Sequence, residues 1–128
     1  MVRKGVFVTL FSLLLLAATL ITTNCPADQP KVAQVVYITL SKACGCLLSV
    51  CQAGDVVVGN VFNGARQGLL KRIDYSTDKA TAKDYIKKYR ITRAPALLFL
   101  DAQGNLLWMK LGDLEEREIA AQLAQFGM

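Results

Sequence analysis

Apolar and polar positions fall along this chain in blocks that predict strands and helices in turn. Val35-Val36-Tyr37-Ile38-Thr39-Leu40 is β-branched, short and almost wholly apolar, which predicts a buried strand. From Cys46 to Phe62 the period changes, with Leu47, Leu48, Val50, Cys51, Val57, Val58, Val61 and Phe62 recurring at helical spacing. Gly54 and Gly59 fall inside that helix at a cost of about 1 kcal/mol each, and so mark a kink or a close approach. Asn63-Gly64 is the expected stop. Leu69 to Tyr75 predicts a second strand. Ser76 or Thr77 is then expected to cap a helix over Thr81 to Tyr89, with Tyr85, Ile86 and Tyr89 on one face. Ala96 to Leu100, entered through Ala94-Pro95, is the third strand. Asp101-Ala102-Gln103-Gly104-Asn105 turns the chain back into a fourth, Leu106 to Leu111. Gly112-Asp113 introduces an amphipathic helix over Leu114 to Phe126, with Ile119, Leu123 and Phe126 on its apolar side. The predicted order is β-α-β-α-β-β-α, an α/β domain.

The first 27 residues follow neither period. Met1-Val2-Arg3-Lys4 is basic, and Gly5 to Thr23 is uncharged, dense in Leu, Val, Phe and Ala, and without a polar face. That is the pattern of a secretory signal. Its length is close to the roughly 20 residues that span a bilayer, so membrane attachment through residues 5–23 is the alternative to cleavage. Cys25-Pro26-Ala27 offers a cut before Asp28, and Cys25 is also a position for lipid attachment. Residues 1–27 are therefore expected to be a signal peptide or N-terminal membrane anchor. Residues 28–128 are expected to form one exported domain, periplasmic or otherwise extracytoplasmic. About 100 residues suffice for one modest core, and export permits disulfides.

Charge narrows the partners. Fifteen Lys and Arg against ten Asp and Glu give +5, but the basic residues are dispersed among acids. Lys87-Lys88-Tyr89-Arg90 reads as the solvated face of a helix, so no nucleic-acid partner is expected. The chain has no histidine, which leaves sulfur as its only soft ligand and its chief nucleophile. Cys44-Gly45-Cys46 lies where the first strand gives way to the first helix. A thiolate at a helix N-terminus is stabilised by the dipole and by free backbone N–H groups, which makes Cys44 the candidate nucleophile.

Residues two apart in a helix point about 200° from each other. A Cys44–Cys46 bridge therefore needs Cys44 outside the helix and an unusual backbone angle at Gly45. Such a ring would be small, strained and easily reduced, which favours an oxidising or isomerising tendency. Cys51 shares the helical face of Cys44 but lies roughly 10.5 Å along the axis, too far for a disulfide. It reads as apolar packing, with a third redox thiol or a metal ligand as the sharper alternatives.

Together these features resemble the thioredoxin fold over nearly all of residues 32 to 128. Three motifs carry the resemblance: the cysteine pair after the first strand, Ile91-Thr92-Arg93-Ala94-Pro95-Ala96-Leu97-Leu98-Phe99, and Asp101 to Asn105 followed by Leu111-Gly112. The resemblance implies a central mixed β-sheet flanked by helices and a cis bond before Pro95, which would face the cysteines. It implies that Cys44 attacks a substrate disulfide and Cys46 resolves the mixed disulfide, with no cofactor and no assigned metal. The implied partners are protein thiols or disulfides and a redox partner protein.

The chain departs from the family in having one residue, not two, between the cysteines. It also has no acid in the first strand, and Lys42-Ala43 where a tryptophan is usual. Asp55 reads as a solvated helix position, and Lys42 as a surface lysine whose charge favours a thiolate. The leading reading is an exported thiol–disulfide oxidoreductase. The alternatives are a thiolate carrier of Cu(I), Zn or a similar metal and a non-catalytic thioredoxin-like binding module. A closed tetrahedral zinc site would need a fourth ligand that no histidine supplies.

Overall fold

The computed structural model describes residues 28–128, so the predicted signal or anchor segment and Cys25 lie outside the described residues. A four-stranded sheet runs in the order β2-β1-β3-β4, from β1 (Gln34–Thr39), β2 (Leu70–Asp74), β3 (Ala96–Leu100) and β4 (Leu106–Leu111). Three helices accompany it: α1 (Gly45–Val61), α2 (Lys79–Tyr89) and α3 (Glu116–Gln125). β1 pairs parallel with β2 and antiparallel with β3, and β3 pairs antiparallel with β4. The sheet is mixed, as expected.

β1 is central because nearly all of it is apolar and both its faces are covered. Val35 and Tyr37, with Leu97 and Phe99 of β3, face α1 and α3. Val36 and Ile38, with Ile73, Ala96, Leu98 and Leu100, face Ala82, Tyr85 and Ile86 of α2. Phe99 anchors the first layer through ring contacts with Trp108 at 4.9 Å and with Phe62 and Phe126 at 6.3 Å. Truncating a buried aromatic of this kind costs about 3–5 kcal/mol.

Several boundaries differ from the sequence reading, for identifiable reasons. A 3-10 helix over Gly64–Leu69 occupies the expected loop, and its last residue takes the place expected for the start of β2. α2 begins at Lys79 rather than Thr81, and its cap is neither Ser76 nor Thr77 but Asp78, which accepts from Thr81 N at 3.2 Å. The Ser76 hydroxyl is engaged elsewhere, with the main chain of Lys42. α3 begins at Glu116 rather than Leu114, because Leu114 is buried against α1 before the helix starts. The turn after β3 is as predicted: Asp101 Oδ1 accepts from Gln103 N at 2.9 Å and Asn105 N at 2.8 Å.

Candidate functional site

The chain leaves β1 at Thr39 and enters α1 through Leu40-Ser41-Lys42-Ala43-Cys44. This loop is strapped to the turn after β2. Ser41 N donates to Asp74 Oδ1 at 3.1 Å, Lys42 N to Ser76 Oγ at 3.0 Å, and Tyr75 N to Thr39 O at 2.9 Å. Partial burial pushes the Asp74 carboxyl up, but the hydrogen bonds from Ser41 and Ser76 outweigh it and hold the group below its usual range. The ionised carboxylate is thus the knot of the strap.

Cys44 is the N-cap of α1. Its backbone is extended, φ −62° and ψ 154°, and its carbonyl accepts the first helical bond, from Leu48 N at 2.9 Å. Cys44 therefore stands outside the helix, as a Cys44–Cys46 bridge requires. With both thiols free, Gly45 is the first helical residue and does not take a positive φ, so the change of direction in this form comes from Cys44 itself. No side chain caps the helix and its first turn carries no acid, so nothing competes with a thiolate for that end of the dipole. Cys44 and Cys46 are both exposed thiols, whereas Cys51 is fully buried.

Pro95 sits at the same end of the sheet. β1 and β3 pair Ile38 with Ala96, so one further step in that register sets Pro95 beside Thr39, where the cysteine loop begins. The Ala94–Pro95 bond is cis. Pro95 is buried, its carbonyl accepts from Gly112 N at 2.8 Å, and its ring abuts α1 at Gly54. A Cβ on Gly54 would lie 3.2 Å from Pro95 Cγ and 2.8 Å from Tyr37 Oη. The glycine therefore marks the close approach that its place in the apolar pattern left open. Gly54 lies about 12 Å along the helix axis from Cys46.

Asp55 is a correction to the sequence reading. It is not a solvated position but part of a three-residue cluster under α1. The Tyr37 hydroxyl donates to Asp55 Oδ1 at 2.9 Å and also lies 3.2 Å from Cys51 O. Arg72, in register with Tyr37 on β2, pairs with Asp55 Oδ2 at 2.9 Å and lies over the Tyr37 ring. Burial pushes the Tyr37 phenol well above its ordinary value, and the Asp55 carboxylate adds to the rise. The Arg72 charge opposes it. Thr39 Oγ1 is itself buried without a hydrogen-bond partner among the described residues.

Asp55 is about 13.5 Å along the axis from Cys46, so it serves the seat of the helix and does not reach the exposed thiols. Sequence reasoning missed Tyr37 and Arg72. The available signal was a tyrosine inside an apolar strand, whose hydroxyl had to find a partner. Among the described residues no group of three or more Cys, Asp or Glu is placed to hold a metal ion. The three-thiol metal site considered from the sequence is therefore not assembled here. No helix among them is long and apolar enough to cross a membrane.

No family model matches the chain, and no curated protein matches its sequence. Solved structures do match. The C-terminal domain of DsbD from Neisseria meningitidis, in its reduced form, aligns with a TM-score of 0.55 at 14% identity, covering 77% of this chain and 84% of that one. Trxlp from Edwardsiella tarda gives 0.52 at 16% identity over 75% and 86%. A thioredoxin-like protein from Clostridium perfringens gives 0.51 at 15% over 77% and 73%. The fold is thioredoxin-like.

Proposed function

We propose that this chain is an exported thiol–disulfide oxidoreductase acting on protein thiols and disulfides. The observation that carries the reading is the pair of exposed thiols at the uncapped N-terminus of α1, with Cys44 outside the helix and Cys46 in its first turn. The thioredoxin-like fold supports it. Residues 1–27 act as the export signal or anchor, which puts the domain in the periplasm or another extracytoplasmic space.

The Cys44 thiolate attacks one sulfur of a substrate disulfide and displaces the other as a thiolate. The Cys46 thiolate then attacks Cys44 Sγ in the mixed disulfide. The Cys44–Cys46 bond forms, the second substrate thiolate leaves, and two electrons have passed to the substrate. Run in reverse, the bridged form oxidises a substrate dithiol. Pro95 shapes the groove beside Cys44, and a redox partner protein restores the starting state.

Trapping separates the roles. Cys44→Ser should abolish exchange with a disulfide-bonded protein. Cys46→Ser should accumulate a mixed disulfide at Cys44, visible as a mass adduct after acid quenching and alkylation. Cys51→Ala should retain most of the activity. An adduct that forms at Cys51 instead, or Cys51→Ala as inactive as Cys44→Ser in a folded protein, would sink the two-thiol mechanism.

A further inference from the structure

On the α2 side of the sheet, at the end that carries the thiols, the fold leaves a cavity of about 200 Å³. Ile38 and Ala96 of the sheet, Ile86 of α2, and Leu40, Tyr75 and Ile91 of the adjoining loops line it. Leu40 opens the cysteine loop, and Ala94 precedes Pro95, so the cavity is lined by the segments that lead into the proposed site.

Arg93 also lines the cavity and is exposed. Its guanidinium is seated on Gly112, where an added Cβ would lie 3.2 Å from Cζ and from Nε. Gly112 has φ +81°, a conformation that glycine adopts without strain, and its N–H binds Pro95 O. The cation therefore lies over Gly112, and among the described residues no carboxylate forms an ion pair with it.

We propose that this pocket reads the substrate's sequence. It takes one apolar side chain from an extended segment next to the reacting cysteine, and Arg93 meets an acidic residue beside that side chain. The identity of the substrate rests on the thiol–disulfide reading above; the pocket itself does not. Three features select this occupant. The volume suits one branched or aromatic side chain and is smaller than the roughly 300–1,000 Å³ of small-molecule sites. The apolar walls reward burial of such a group, while an unpaired cation at the mouth is complemented by an acid. A cysteine brought to Cys44 also carries its flanking residues across this end of the sheet.

The test uses the full chain and four fluorescent peptides in which serine replaces the reacting cysteine, followed by Leu-Asp, Ser-Asp, Leu-Lys or Ser-Lys. Binding is read by anisotropy, and exchange is followed in parallel with a small neutral disulfide such as hydroxyethyl disulfide. The Leu-Asp peptide should bind about tenfold tighter than the Ser-Asp or Leu-Lys peptide. Arg93→Glu should reverse the Asp-over-Lys preference. Ile86→Trp, which fills the cavity from α2, should erase the Leu preference while small-disulfide exchange continues at the wild-type rate.

Should Ile86→Trp fail to fold, the exposed Arg93→Glu still decides the matter. Equal affinity for all four peptides overturns the pocket, whatever the small disulfide does. So does an Ile86→Trp effect confined to self-association of the chain. A persistent Leu-Asp preference without any disulfide exchange keeps the pocket and overturns the catalytic reading.

Discussion

Tyr37 carries a hydroxyl into the apolar layer between β1 and α1, and its partners determine what that costs. A buried hydroxyl left unpaired costs about 1–3 kcal/mol. Here the phenol donates to Asp55, whose charge is in turn met by Arg72. The same burial fixes a pH dependence. Because the folded protein raises the Tyr37 pKa, chiefly by desolvation, it holds the phenol's proton more tightly than the unfolded chain does. The resulting stability is complete below the ordinary tyrosine value of about 10 and is lost as the pH rises from there through the folded value. Urea unfolding between pH 8 and pH 11, an interval chosen to bracket roughly that value, should therefore show stability falling at the alkaline end. Tyr37→Phe should be less stable at pH 8 by about 1 kcal/mol and should flatten the alkaline decline. An equally steep decline in the variant would assign it to other groups.

At the scale of elements, α1 presents the two exposed thiols at its N-terminal end and also makes the contact that seats it on the sheet. Sixteen of its seventeen residues carry no charge, and the contact is made at Gly54, where Tyr37 Oη, the Pro95 ring and Leu114 converge. Gly54→Ala should recover roughly 1 kcal/mol of helix propensity yet lose more, because overpacking costs about 1–3 kcal/mol. The net effect should be destabilising by urea titration. In a Tyr37→Phe background the closest clash is gone, so the same substitution should cost measurably less, a coupling that a double-mutant cycle reads directly. Additive costs would show that the seat is not at Tyr37. The hydrophobic period located this helix to within a residue at each end and flagged Gly54 and Gly59 alike, of which only Gly54 makes a close approach. It did not disclose what Gly54 touches, since that depends on a tyrosine on β1 and a proline just before β3. The start of α2 was misplaced for a similar reason: Ser76 was available as a cap in the sequence, but the cysteine loop uses it.

For the whole molecule, the order of elements along the chain and the core were legible because apolar runs such as Val35–Ile38 and Ala96–Leu100 can only be buried on both faces. The positions of Cys44-Gly45-Cys46 and Pro95 were legible too, since they sit at element boundaries that the pattern itself marks. The Tyr37–Asp55–Arg72 cluster and the Arg93 pocket were not, because each draws residues from three or more separate segments and no local period records them. Both described core clusters are built from Val32 onward, and they enclose Tyr37, Phe99, Leu97, Leu98, Ile119 and Leu123 almost completely. If the first 27 residues serve export alone, deleting them should remove nothing that the domain buries. The truncated chain should then unfold in urea in one cooperative transition, followed by Trp108 fluorescence, with the midpoint and slope of the full chain. The slope matters as much as the midpoint, because it scales with the surface exposed on unfolding. A truncated chain with a shallower slope and a lower midpoint would mean that the apolar segment Gly5 to Thr23 packs on the domain, and the targeting reading would fall. An unchanged slope, with Cys44 and Cys46 still alkylated more readily than Cys51, would confirm residues 28–128 as the complete folding and reactive unit.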